Sequence, residues 1–185
     1  MPVRLVWTIG HSTRSAEDFG ALLHEHGING LADIRTIPRS RRHPHFSREA
    51  LEGRLHGDGM RYRHFPALGG LRKPRSDSAN GAWKNAAFRG YADHMQTDEF
   101  AGALNDLLEF AGGTSVAVMC AEALWWRCHR MLVADALVAQ AVDVRHIMSQ
   151  RGRSSAQPHR LTPFARIQCP PDTSGRPRLS YPGLV

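Results

Sequence analysis

The chain has 185 residues, 42% of them hydrophobic and 22% charged, with a formal net charge of +7. That length allows one α/β domain with a sizeable core and is short for two, and no apolar run approaches the ~20 residues a membrane-spanning helix needs. Three cysteines, an odd number without framework spacing, argue against a disulfide scaffold and suit free thiols in a reducing cytoplasm.

Residues 3–9 are apolar except for Arg4, which suits a strand buried on both faces of a parallel sheet. The start lacks the roughly 7–15-residue apolar stretch of a secretion signal. Gly10-His11-Ser12-Thr13 interrupts the strand. Ser15 with Asp18 then opens a helix in the manner of a capping box, Phe19, Leu22 and Leu23 form its apolar stripe, and Gly27 suits the residue after its end. Residues 28–34 predict a second strand delivering Asp33 and Arg35 to a basic loop at 38–42. Ser47 suits the N-cap of a short helix, with Phe46 and Leu51 as a hydrophobic staple and Gly57 closing it. Residues 60–65 read as a third strand. Residues 66–87 are too rich in Gly, Pro, Ser and Asn for a long regular element, and a loop of that length suits a lid or binding loop.

Helical periodicity returns over 91–111, with Thr97 as an internal cap and Phe100, Leu104, Leu107, Leu108 and Ala111 facing the core, until Gly112-Gly113. A fourth strand (115–119), a helix (130–140) and a fifth strand (142–147) follow. The alternation predicts right-handed crossovers and a single Rossmann-like three-layer αβα sandwich with a mainly parallel sheet of about five strands. Beyond residue 149 Arg, Pro, Ser and Gly dominate, so 1–149 reads as the α/β domain and 150–185 as a loosely ordered tail in which Cys169 is incidental.

The positive charge is local. Residues 35–75 carry +8, from ten arginines and one lysine against three acids, whereas 1–34 sum to −2, 76–150 to −4 and 151–185 to +5. With His43, His45, His56 and His64 interleaved, the 35–75 segment suits phosphate or another polyanion; a solvated face in an arginine-rich chain is the plainer alternative. Ligands of open α/β sheets sit beyond the carboxyl ends of the strands. His11 and Ser12, Asp33 and Arg35, Gly69 and Gly70, and Cys120 and Glu122 all fall at such ends.

The fourth strand empties into Cys120, Glu122, Cys128, His129 and Arg130, residue types that can supply a nucleophile, a general acid or base and an anion clamp. Each has a plainer reading. Cys120 at a strand end is often a small buried hydrophobe, Glu122 a surface carboxylate, and Cys128 a packing residue in a first helical turn. Cys120 and Cys128 are separated by seven residues, neither the redox C-x-x-C nor a zinc-ribbon spacing, so a metal held by His11, Cys120, Cys128 and His129 has little support from spacing. The residue six beyond Cys120 is Trp126, which excludes the C-x5-R phosphatase loop, and no G-x-G-x-x-G follows the first strand. Trp125, Trp126, Tyr62, Phe65 and Trp83 are candidates for stacking on bases, although no nucleic-acid motif accompanies them.

Five motifs carry a resemblance: Thr8-Ile-Gly-His-Ser12, Asp33-Ile-Arg35 with Pro38-Arg-Ser40, Leu68-Gly-Gly70, Phe88-Arg-Gly-Tyr91, and Cys120-Ala-Glu122 with Cys128-His-Arg130. In this order, over residues 5–148, the chain resembles the bacterial and archaeal family known as domain of unknown function 488. The resemblance implies a Rossmann-like domain and no established reaction. Carried over by motif, it points to His11, Ser12, Asp33, Arg35, Arg39, Ser40, Arg89, Tyr91, Cys120, Glu122, Cys128, His129 and Arg130.

The leading expectation is a thiol-dependent enzyme acting on a nucleotide or nucleic-acid fragment. Cys120 would be the nucleophile or redox thiol, Glu122, His11 or His129 would serve in acid–base roles, and Arg35, Arg39, Arg89 and Arg130 would hold the anion, with Ser12, Asp33, Ser40, Tyr91 and Cys128 completing the binding set. The alternatives are a non-catalytic nucleic-acid-binding module built on 35–75 and an iron- or zinc-binding redox protein. No cofactor is named by any motif.

Overall fold

The computed structural model describes residues 3–150, 153–168 and 178–183. The first apolar run forms β1 (Leu5–Gly10), and Ser15 caps α1 (Ala16–Glu25) by accepting the Asp18 N–H at 3.0 Å. The chain leaves α1 through Gly27 at φ +63°, a left-handed conformation glycine adopts without steric cost. β2 (Gly30–Asp33) is buried throughout, as expected of a central strand. Ser47 caps α2 (Arg48–Gly57), and Phe46 and Leu51 bury beside each other in one core cluster. The helix runs through Gly57. The left-handed residue that ends it is Gly59 at φ +71°, two positions later than the sequence suggests.

β3 (Arg61–His64) lies at one edge of the sheet. The single helix expected over 91–111 is two. Asn85 opens α3 (Ala86–His94) by accepting the Ala87 and Phe88 N–H groups, and Thr97 opens α4 (Asp98–Ala111) by accepting the Phe100 N–H at 3.2 Å. The loop before α3 is tied down at Asp93, which accepts bonds from Arg75 N–H, Ser78 Oγ and Asn80 Nδ2. β4 (Val116–Cys120), α5 (Arg130–Ala139) and β5 (Asp143–Gln150) complete the alternation.

The strand order is β3-β2-β4-β1-β5 with all five parallel, and β6 (Arg153–Pro158) pairs antiparallel to β5 at the far edge. Chain direction across the sheet decides the layers. β1→α1→β2 and β2→α2→β3 run toward the β3 edge, whereas the connections through α3, α4 and α5 run back, so right-handed crossovers place the two sets of helices on opposite faces. The two buried clusters divide accordingly, α1 and α2 residues in one, α3, α4 and α5 residues in the other. β4 is therefore flanked on both sides by strands whose chains leave to the opposite face. A crevice opens at such a switch point, at the carboxyl ends of β1, β4 and β2.

Beyond residue 149 the described residues depart from the expected loose tail. β6 extends the main sheet, β7 (Arg166–Gln168) and β8 (Arg178–Ser180) pair with each other, and Tyr181 is fully buried. Cys169 lies outside the described residues. The attachment is polar and buried: the Thr8 hydroxyl lies 2.7 Å from His146 Nδ1, His146 Nε2 lies 3.0 Å from His159 Nδ1, His159 Nε2 donates to Asp135 at 2.9 Å, and Tyr181 O–H donates to the other Asp135 oxygen at 2.9 Å. Each proton in this chain has one place when both imidazoles are neutral.

Burial, with the neighbouring His159 and Arg130 adding, pushes His146 down to about 3. The unfolded chain therefore takes up a proton near pH 6.5 that the folded one refuses, and stability present above that pH drains as pH falls toward about 3, by up to ~1.4 kcal/mol per pH unit. In urea titrations at pH 7, 5.5 and 4.5, a His146→Gln variant should start less stable and decline less steeply than wild type. Parallel declines would remove His146 as the cause.

Candidate active site

β4 presents Cys120 at its last position, in register with Gly10 of β1. The two chains stay coupled past the strands, where the His11 and Ser12 N–H groups donate to the carbonyls of Cys120 and Ala121, both at 2.9 Å. Gly10 is required by space, since a Cβ there would stand 2.0 Å from the Glu122 carbonyl oxygen. After a short turn at Trp125–Arg127, Cys128 lies at the head of α5, where its Sγ receives the Arg130 N–H at 3.5 Å. His129 occupies the N-cap position with helical backbone angles and makes no capping bond, which leaves its ring free.

That ring turns back toward the sheet. Nε2 donates to the Ile34 carbonyl at 3.2 Å, leaving Nδ1 at 3.7 Å from Cys128 Sγ and 4.0 Å from Cys120 Sγ. Both sulfurs and Nδ1 lie within 4.8 Å of one another. Gly70 lies against the ring, where a Cβ would come 2.4 Å from Nδ1, and Tyr91, anchored by its O–H to the Leu68 carbonyl, packs its ring 5.1 Å away.

Cys128 close by, together with burial, pushes the Cys120 thiol well above the usual range, whereas Cys120, with help from His129 and Arg130, holds Cys128 well below it. Of the two sulfurs, Cys128, at a helix start, is the more readily ionised.

A second cluster adjoins the first. Asp33 receives Arg35 Nε at 2.9 Å and Nη2 at 2.6 Å, and the Tyr62 hydroxyl at 2.8 Å. Arg35 Nη1 lies 3.4 Å from His11 Nε2, and His11 Nδ1 donates to the Ser12 carbonyl at 2.9 Å. With both nitrogens engaged and its ring stacked on Phe46, His11 is pushed down to about 4, chiefly by burial, and stays neutral at pH 7. It sits between Ser12 and Arg35 and braces the guanidinium. Ser12 turns the chain here at φ +51°, a backbone strain of the kind that gathers at functional sites.

The two clusters form the floor and one wall of a cleft of about 770 Å³. It brings together His11, Ser12, Arg35, Arg39, Ser40, Cys120, Glu122, Cys128 and His129 of the residues expected from sequence. Arg42, His43 and Arg127 also line it, and Ile37 and Leu71, 62% and 75% exposed, stand at the lining as well. The 66–87 loop thus contributes wall residues, Gly70, Leu71 and Asn85. Ser40 Oγ accepts the His43 N–H, and Glu122 accepts the Leu124 N–H, each steadying its own loop.

Four expected binding residues lie behind the lining. Asp33 holds Arg35, Tyr91 backs His129, Arg89 is half-buried on α3, and Arg130, 1% exposed, spends its guanidinium on the carbonyls of Glu122 and Ala123. Arg42, His43 and Arg127 carried no motif. Their signal was membership of the basic run for the first two and a place beside Cys128 for the third.

A family model described as Domain of unknown function DUF488 matches residues 15–137. The chain belongs to that family. The matched span takes in Asp33, Arg35, the whole arginine-bearing loop and the Cys120–Arg130 segment, whereas Gly10-His11-Ser12 lies outside it. No curated protein and no solved structure matches the chain. Among the described residues, no helix is long and apolar enough to cross a membrane.

Proposed function

We propose that the protein is an enzyme acting on a small phosphate-bearing ligand, a nucleotide or nucleic-acid fragment, bound in this cleft with the reaction at its Cys120–Cys128–His129 floor. The observation that carries the reading is the meeting, at one topological switch point, of two cysteine sulfurs and an imidazole with Arg39, Arg42 and Arg127, which line the same cleft. Fixed positive charge draws the anion in, and Arg35, braced by Asp33, offers its remaining N–H groups near Cys120. A sulfur so placed either attacks phosphorus as a thiolate, forming a P–S bond as the P–O bond to the leaving ester oxygen breaks, or holds a cation against the phosphate. Buried free thiols of this kind work reduced, which suits the cytoplasm.

The rival reading, a nucleic-acid-binding module, needs the 35–75 arginines on one open face. Several are engaged elsewhere: Arg54 with Glu17, Arg63 with Asp106, Arg72 with Glu99 and Arg75 with Asp77, while Arg61 lies over Phe110. Trp83 packs among Phe88, Phe164 and Tyr181, and Trp125 has one face stacked on His146 at 4.1 Å, which leaves Trp126, 44% exposed, as the tryptophan most open to a base.

Calorimetry with nucleoside monophosphates should show saturable binding that weakens about tenfold or more in an Arg39→Ala/Arg42→Ala/Arg127→Ala variant. Chromatography of the incubated ligand should show conversion by wild type and none by Cys128→Ser with binding retained. Failure of any mononucleotide to bind, or a strong preference for long oligonucleotides with a steep salt dependence, would replace this reading with the binding module.

A further inference from the structure

We propose that Cys120, Cys128 and His129 form a three-ligand site for a soft divalent metal ion, zinc matching the donors best, with a fourth coordination position open to the cleft. Zinc–sulfur bonds of about 2.3 Å and zinc–nitrogen bonds of about 2.0–2.1 Å at tetrahedral angles separate sulfur from nitrogen by about 3.6 Å. Nδ1 of His129 stands 3.7 Å from one sulfur and 4.0 Å from the other, so a small torsional adjustment closes the set. The three donors come from a strand end and a helix start, elements that the sheet and core hold rigid.

The surroundings are those of a ligand set. A metal-bound histidine ordinarily donates its other nitrogen to a carbonyl or carboxylate, which fixes the tautomer and aims the lone pair. His129 donates Nε2–H to Ile34, with Gly70 and Tyr91 confining the ring from its sides. Two sulfurs and an imidazole favour zinc over hard cations such as magnesium or calcium. The spacing of Cys120 and Cys128 concealed the set because the turn between them, not a knuckle, brings the sulfurs together. His11, the fourth candidate by sequence, is engaged with Ser12 and Arg35 and takes no part.

Loading balances simply. The ion takes both cysteine sulfurs as thiolates, each thiol proton leaving to solvent, together with the His129 Nδ1 lone pair, and two thiolates neutralise the two positive charges. All three ligands line the cleft, so the open position faces it. Two cysteines, one histidine and an open position make a catalytic rather than a structural zinc arrangement, in which the ion acts as a Lewis acid toward an incoming oxygen. That a phosphate oxygen takes the open position rests on the cleft's proposed function; the three-ligand set does not.

The test uses the full-length protein, purified without added metal, stripped with a chelator and titrated with Co²⁺. One equivalent should bind and give a thiolate-to-cobalt charge-transfer band with the strong visible bands of four-coordinate cobalt. Cys120→Ser and Cys128→Ser should each weaken binding at least tenfold. Gly70→Ala keeps all three donors but crowds the His129 ring, and should weaken binding by about 10–100-fold with unchanged circular dichroism. Inorganic phosphate should shift the visible bands of wild type and leave those of Arg39→Ala/Arg42→Ala/Arg127→Ala unmoved at equal cobalt affinity. Absence of the charge-transfer band, or wild-type affinity in Cys128→Ser, overturns the metal site. Cobalt bands that phosphate never moves, with the charge-transfer band present, overturn the phosphate at the open position and leave the ligand set standing.

Discussion

Replacing Asp135 by alanine should cost about 3–5 kcal/mol of folding stability, a large part of what a domain of this size possesses. The carboxylate is fully buried in α5 and receives three donors, His159 Nε2, the Thr162 N–H and the Tyr181 hydroxyl, each at 2.9 Å. Removing it strands all three and frees His159 to reorient, which unsettles His146 and Thr8 in turn. Tyr181→Phe removes one donor and leaves the carboxylate with its other partners, so about 1–2 kcal/mol should be lost. Urea unfolding followed by circular dichroism measures both. An Asp135→Ala variant within 1 kcal/mol of wild type would mean that the segment after residue 149 is not fastened by this network.

Asp33→Ala should cost a similar ~3–5 kcal/mol, for a different reason. The loss there is an orphaned charge: Arg35 is almost wholly buried, its Nε and Nη2 are satisfied by the Asp33 carboxylate, and no other acid among the described residues pairs with it. The double variant Asp33→Ala/Arg35→Met removes the charge along with its partner and should recover a good part of the stability, because buried ion pairs are generally worth little more than apolar residues of similar size. Recovery of stability without recovery of ligand binding in the cleft would separate the pair's folding role from its role in presenting Arg35. A double variant as unstable as Asp33→Ala would shift the cause to the lost Tyr62 hydrogen bond.

Local rules made much of the fold legible. Ser15 and Ser47 cap where their side chains and the following apolar positions say they should, and the continuous apolar runs of β1 and β4 are buried central strands. What failed depended on partners distant in sequence. β6 reads Arg-Ser-Ser-Ala-Gln-Pro, without apolar alternation, because it is an edge strand held by backbone pairing to β5. The start of α3 was hidden because its cap, Asn85, ends a run of loop-forming residues. At the site, the residue types were legible and their tasks were not. Asp33 and Arg35 sit two apart at a strand end, a spacing that places side chains on one side and could have signalled their pairing. The turn of His129 toward both sulfurs is set by the carbonyl of Ile34, just past the end of β2, which spacing does not reveal.

α5 joins the cleft to the C-terminal segment. Its first turn presents His129 and Arg130, and its middle holds Asp135, whose partners His159, Thr162 and Tyr181 all come from beyond residue 137, where the family match stops. The border drawn by sequence similarity is therefore a poor place to cut. A chain ended near residue 150 would retain every residue of the cleft while leaving a naked carboxylate inside the helix that aims them, so trimming, tagging or swapping the C-terminal segment amounts to remote surgery on the cleft.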